Sequence, residues 1–288
     1  MALDYIAFVL LTSVSSAAVL LIATLGLAVM FGMMGVINLA HGEFIMLGAF
    51  ATLMATRAGV PFPLAVVFAA VALGLFGALV EIVIIRFLYG RLLDTLLATW
   101  GLSLALYQGA VLAFGSTTPG IGLPISAFSI GRYSVSSYFL FLIAAAIVLV
   151  AATYLVFTRT TYGRMARAAV QNPAMAAAVG IETKRINTLT FAFGSALAGL
   201  AGGLLVPAFP ATPGMGLAFV AKAFLAVVVA GPVTLSGTVA STGALGMLSS
   251  TSASFLSTVL GDVIFFVATI LLLRLFPNGI SSGWRRRL

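Results

Sequence analysis

Apolar runs of about twenty residues follow one another along almost the whole chain. They constrain its fold more than any motif does. A helix needs roughly 20 apolar residues to cross the hydrocarbon of a bilayer. Nine stretches meet or approach that length: about 6–30, 36–56, 62–85, 93–114, 136–157, 187–208, 216–231, 235–253 and 261–276. Composition agrees, since 62% of residues are hydrophobic and 7% charged, against about 25% charged in soluble domains. The chain therefore reads as an all-α polytopic membrane protein with about 8–9 transmembrane helices, forming one transmembrane domain over residues 1–288. The seventh and eighth segments are short and flank AGPVTLSG, Ala230 to Gly237. Taken together as one re-entrant unit, they lower the count.

Basic residues set the expected orientation. Arg86 and Arg91 flank the loop after the third segment, and Arg159, Arg164, Arg167, Lys184 and Arg185 crowd the loop after the fifth. Arg285, Arg286 and Arg287 close the chain. With nine segments all three sites share one face, which the bias of Lys and Arg makes cytoplasmic. The N-terminus, with Asp4 alone, then lies outside. It has no basic leader region and reads as the mature start. The net charge of +8 belongs to these loops and implies no nucleic-acid partner. The opposite loops, 115–137 and 206–216, are rich in Gly, Pro and Ser and read as turns and irregular surface.

The stretch FGMMGVINLAHGEF, Phe31 to Phe44, holds the single histidine, His41, two residues from Glu43. Charge at membrane depth is costly and usually faces a pathway or a partner. Glycines and Asn38 break the apolar run, as in segments that turn their backbone toward a cavity. His41 and Glu43 point to nearly opposite faces of a regular helix, whereas Asn38 and His41 share one. One reading makes this face line or gate a path. The other has Asn38 and His41 satisfy backbone groups freed by the break, with Glu43 pairing with an arginine or capping a helix. Residues 230–237 form a second glycine-broken stretch. Both breaks are expected at cytoplasmic turns, which hints at an internal repeat.

Several chemistries are excluded. No GxxxxGK[ST] loop exists, and neither lysine, Lys184 or Lys222, follows a glycine run. One histidine and no cysteine leave no ordinary zinc site. A Ser–His–acid triad lacks a GxSxG elbow. The chain is expected not to be an enzyme and to hold no cofactor or metal. Glu81 and Arg86 read as an interfacial pair. Lys222 reads as snorkelling or as paired with Glu43 or Asp262, and Asp262 as a helix-capping acid. Residues 161–187, TYGRMARAAVQNPAMAAAVGIETKRIN, form the clearest solvent-facing element. NP at Asn172–Pro173 punctuates it, and Gly180 ends a short apolar helix. Its apolar side needs lipid headgroups or a protein.

GMMGVINLAHGEFIMLGAF resembles the signature of permease subunits of branched-chain amino acid ABC importers, a family that includes permeases for urea and short amides. TYGRMARAAVQNPAMAAAVGI resembles the loop by which those permeases engage their ATPases. LLATWGLSLALYQ and the closing FPNGI match in position, so the likeness runs over nearly the whole chain. AGPVTLSG departs from the glycine-richer family pattern, with Pro232 stiffening the break.

The resemblance implies an inner-membrane permease paired with a second, paralogous permease subunit. It implies two cytoplasmic ATPase subunits that bind ATP, and a periplasmic substrate-binding protein. It places Asn38, His41, Gly42, Glu43, Gly231 and Gly237 at the translocation path or gate. Arg164, Arg167, Asn172, Pro173 and Gly180 fall in the ATPase-coupling loop, about 158–187. The substrate is expected to be a branched-chain amino acid. A urea or short-amide importer permease is the alternative, and a proton-coupled secondary transporter using His41 and Glu43 is a more distant one.

Overall fold

The computed structural model describes residues 2–116, 120–122, 126–231 and 235–283 and is 80% helical. Each of the nine expected segments is a helix. They are α1 (Ala2–Met34), α2 (His41–Arg57), α3 (Phe62–Val83), α4 (Leu92–Phe114), α5 (Tyr138–Arg159), α8 (Thr183–Leu205), α9 (Met215–Ala230), α10 (Leu235–Phe255) and α11 (Thr258–Leu275). Between α5 and α8 lie two short helices, α6 (Thr161–Gln171) and α7 (Pro173–Ala178). Six helices, α1, α3, α4, α5, α8 and α11, are long and apolar enough to cross a membrane. α2 and α9 have 17 and 16 residues, and α10 is rich in Ser, Thr and Gly.

α8 is the central post, packed by α1, α2 and α3. Its sequence FGSALAGLAGG places small residues at four-residue spacing, Gly194–Ala198–Gly202 and Ser195–Gly199–Gly203. Apolar side chains gain nothing by leaving lipid for one another, so helices associate in membranes where small residues let backbones approach. A β-carbon on Gly202 would fall on the Ile45 carbonyl of α2, and one on Gly199 would lie 2.7 Å from the Ala69 carbonyl of α3. At the periphery, α4, α5 and α11 present exposed Leu97, Leu112, Ile147 and Ile270, faces suited to lipid or another subunit.

Residues 126–137 are less irregular than their composition suggests. AFSI and YSVS pair as an antiparallel hairpin, β1 (Ala127–Ile130) and β2 (Tyr133–Ser136). Gly131 takes φ +60°, whereas no non-glycine residue among those described has positive φ. This matches a two-residue turn with glycine first. Tyr133 stacks on Phe8 at 4.8 Å between ring centroids, tying the hairpin to the start of α1.

Candidate functional site

The first break lies folded back inside the protein. After Met34 the chain leaves α1 and runs back along it. Asn38 reaches the Met30 sulfur at 3.6 Å, and His41 Nε2 lies 2.9 Å from the Ala23 carbonyl. Ala23 is eleven residues back from Met34, or roughly 16 Å along the axis at 1.5 Å per residue. Asn38, His41 and Glu43 are 1%, 0% and 2% exposed. Non-helical backbone at such depth survives only where protein or a cavity satisfies it.

Its satisfaction comes from named side chains. Asn38 Oδ1 accepts the Ala40 N–H at 3.1 Å. Thr99 of α4 accepts the Leu39 N–H at 3.2 Å and lies 3.4 Å from the Ile37 carbonyl. Since a carbonyl only accepts, His41 carries its proton on Nε2. Ser103 hydrogen-bonds the Glu43 carboxyl. His41 Nδ1 and Glu43 Oε2 are enclosed without partners among the described residues. Gly42 packs at the α2–α9 crossing, where a β-carbon would fall on the Gly216 carbonyl.

Sequence reasoning missed the supporting stripe on α4. Thr95, Thr99 and Ser103 are all buried on a helix that otherwise buries only Ala110. Their four-residue spacing in an apolar segment was the available signal.

The second break begins at Gly231, whose φ of +87° only glycine adopts without strain. Residues 232–234, Pro232 among them, lie outside the described residues, as do Arg285, Arg286 and Arg287. The end of α9 is held by Ser241, which donates to the Ala226 carbonyl at 2.8 Å, and by Ser281, which donates to the Ala230 carbonyl at 2.7 Å. Gly237 is buried in α10. Gly231 also borders a cleft of about 910 Å³, walled by α5 and α10 and floored by α1. Asn38, His41, Gly42, Glu43 and Gly237 do not line this cleft.

The α6–α7 element is capped at each start. Thr160 Oγ1 accepts the Gly163 N–H, and Asn172 Oδ1 accepts the Met175 N–H, both at 3.0 Å. Pro173 occupies the first turn of α7, where a missing N–H costs nothing. Gly180 closes the element at φ +87°. Gly163, Ala166 and Ala169 are buried, whereas Met175 and Val179 are 61% and 69% exposed. The two arginines part company. Arg164 is exposed and bonds Thr161 Oγ1 at 3.1 Å. Arg167 lines the cleft, with Nη1 enclosed and unpartnered among the described residues.

Two ion pairs join helices or turns distant in sequence or buried in the fold. The expected Glu81–Arg86 pair is present: Glu81 is fully buried and accepts from Arg86 at 3.3 Å, Tyr89 at 2.7 Å and Thr188 at 2.6 Å. Together these bonds tie the α3–α4 turn to α8. Burial and the neighbouring Glu81 carboxylate push the Tyr89 hydroxyl well above its usual range. Asp262 does not cap α11; the Ser257 hydroxyl does, accepting the Leu260 N–H. Asp262 sits one turn further in and meets Lys222 of α9 at 2.6 Å. A full opposite charge in apolar surroundings outcompetes the partial charge of a helix end.

A profile of the family described as "Branched-chain amino acid transport system / permease component" matches residues 9–273. The high-affinity branched-chain amino acid transport system permease protein LivH of Salmonella typhimurium is 31% identical over 283 residues, covering 89% of each chain. The corresponding BraD of Pseudomonas aeruginosa is 31% identical over 273 residues, again with 89% of each covered. A probable branched-chain amino acid transport permease protein LivH of Methanocaldococcus jannaschii is 29% identical over 148 residues, covering 49% of this chain and 47% of the relative. No solved structure matches the chain.

Proposed function

The chain belongs to the branched-chain amino acid transport permease family, and from that premise we propose that it is the permease subunit of an ABC importer for branched-chain amino acids. It is a multi-pass membrane protein. In this reading it lies in the bacterial inner membrane with α6 and α7 cytoplasmic and the N-terminus outside, as the basic residues favour. It pairs with a second, paralogous permease subunit, receives substrate from a periplasmic binding protein, and is driven by two ATPase subunits that hold the ATP.

The observation that carries the coupling reading is the α6–α7 element. It is capped, short and held against α8, yet Met175 and Val179 of the α7 end stand exposed, as does Arg164 of α6. An element that exposes apolar side chains and a cation fits a protein partner better than water. Arg164, Arg167, Asn172, Pro173 and Gly180 then build and present the coupling surface. Asn38, His41, Gly42 and Glu43 fix where α2 starts relative to α1 and α9, which suits a gate support. Gly231 and Gly237 flank the second break.

The test is reconstitution with the subunits from adjacent reading frames. ATP-dependent uptake of leucine, isoleucine or valine is expected, with no ATP hydrolysis by this chain alone. Uptake of urea and not of these amino acids moves the substrate and keeps the architecture. Uptake by this chain alone, driven by a proton gradient, overturns the importer reading.

A further inference from the structure

The cleft beside α5 has the dimensions and charge pattern of a lipid site. Its α5 wall runs from Thr158 to Ile147, about 16 Å at 1.5 Å per residue. That is close to half of the roughly 30 Å hydrocarbon thickness, or one leaflet. Over that length the lining is mainly apolar, with Val29, Val150 and Val239 among its surfaces. α5 and α10 stand apart across it while each packs on α1, so the cleft opens sideways.

Polar groups gather at one end. Arg167 closes the α6 end, and no hydrogen bond or ion pair offsets its charge among the described residues. Arg159 and Arg164, near it in sequence, are exposed. Thr153, deeper on α5, keeps its hydroxyl enclosed and unpartnered among the described residues, although threonines in helices usually bond the carbonyl one turn back. A cation left without an anion in apolar surroundings is costly. The offset it lacks is a negative group, and the void below it is shaped for hydrocarbon.

We propose that this cleft binds an anionic phospholipid from the leaflet level with α6, its phosphate on Arg167 and an acyl chain between α5 and α10. Thr153 lies where the glycerol ester oxygens follow the phosphate. Basic pockets between transmembrane helices hold anionic headgroups by this combination of charge and apolar wall. The leaflet is cytoplasmic in the orientation proposed above, but the site itself depends on neither orientation nor substrate.

The experiment is native mass spectrometry of the full chain, purified in mild detergent with its co-purifying subunits and titrated with phosphatidylglycerol or phosphatidylcholine. About fivefold preference for phosphatidylglycerol is expected, the amount one interfacial arginine supplies. Arg167→Met should erase the preference, and Arg167→Lys should keep most of it. Ala151→Trp, which fills the cleft without touching the charge, should lower retention of both lipids. Equal retention of both lipids by the unaltered protein overturns the proposal, as does a preference that survives Arg167→Met. A cysteine at Ala151 that cross-links efficiently to another subunit also overturns it, since protein then covers the cleft. None of these readings requires transport, so a failure here is separable from a failure of the importer assignment.

Discussion

The break before α2 and the cleft beside α6 both put polar groups among apolar helices, and they treat them in opposite ways. At the break, Asn38, Thr99 and His41 each hold a backbone group, and His41 Nδ1 and Glu43 Oε2 are left without partners among the described residues. At the cleft, Arg167 Nη1 and the Thr153 hydroxyl have no partner among the described residues, and both residues line open volume. Polar residues of the first kind maintain an irregular backbone; those of the second kind await a ligand. A glycine-rich polar motif in a membrane chain is therefore not by itself a substrate pocket. The test is whether its side chains already hold the backbone.

The largest effect should come from Gly42→Val. The added atoms fall on the Gly216 backbone, and neither helix can yield without opening the α2–α9 crossing. Overpacking of this kind costs about 1–3 kcal/mol, and more where backbone meets backbone. A marked fall in thermal stability of the purified complex is expected. A variant with normal stability and altered uptake would instead make Gly42 a gate element.

Thr99→Val comes next. It keeps the shape of the side chain and removes the hydroxyl that holds Leu39 N–H, at about 1–3 kcal/mol for a buried group left unpaired. Thr99→Ser should restore most of the loss in thermal unfolding. Equal stability of both variants would mean that the break is not sealed by α4.

The Lys222–Asp262 pair lies outside both regions and calibrates them. Lys222→Met leaves Asp262 uncompensated, and Asp262→Leu leaves Lys222 so. Each single variant should destabilise more than the double, because removing one partner strands the other charge. Additive losses in a double-mutant cycle would show the two residues acting independently.

Length and apolarity made the nine helices legible, since nothing but lipid or protein can cover such runs. The glycines of residues 32–42 announced that α1 ends, but not that the chain doubles back. Direction there is set by Thr99 and Ala23, distant in sequence. Asp262 looked like a cap because proximity to a helix start is visible in sequence; it was also one of two partners the sequence offered Lys222, and only the packing of α9 on α11 chooses it over Glu43. Asn172, Pro173 and Gly180 were legible because capping chemistry is local. The separation of Arg164 from Arg167 was not. Three residues apart on α6, one points to solvent and the other to the cleft, because Gly163 and Ala166 seat the helix edge-on against its neighbours.

That separation yields the prediction with the smallest effect on the permease itself. Arg164 is exposed, and its only described hydrogen bond is to Thr161 on its own helix. Surface changes of this kind alter stability by about 0.5 kcal/mol or less. Arg164→Glu should therefore leave thermal unfolding and lipid retention unchanged while weakening co-purification of the ATPases, because it reverses charge at the surface offered to them. Arg167→Met should do the reverse, altering lipid retention before ATPase association. If both variants lose the ATPases to the same degree and neither changes lipid binding, the two arginines form one docking surface. The unpartnered charge at the cleft would then belong to the coupling element.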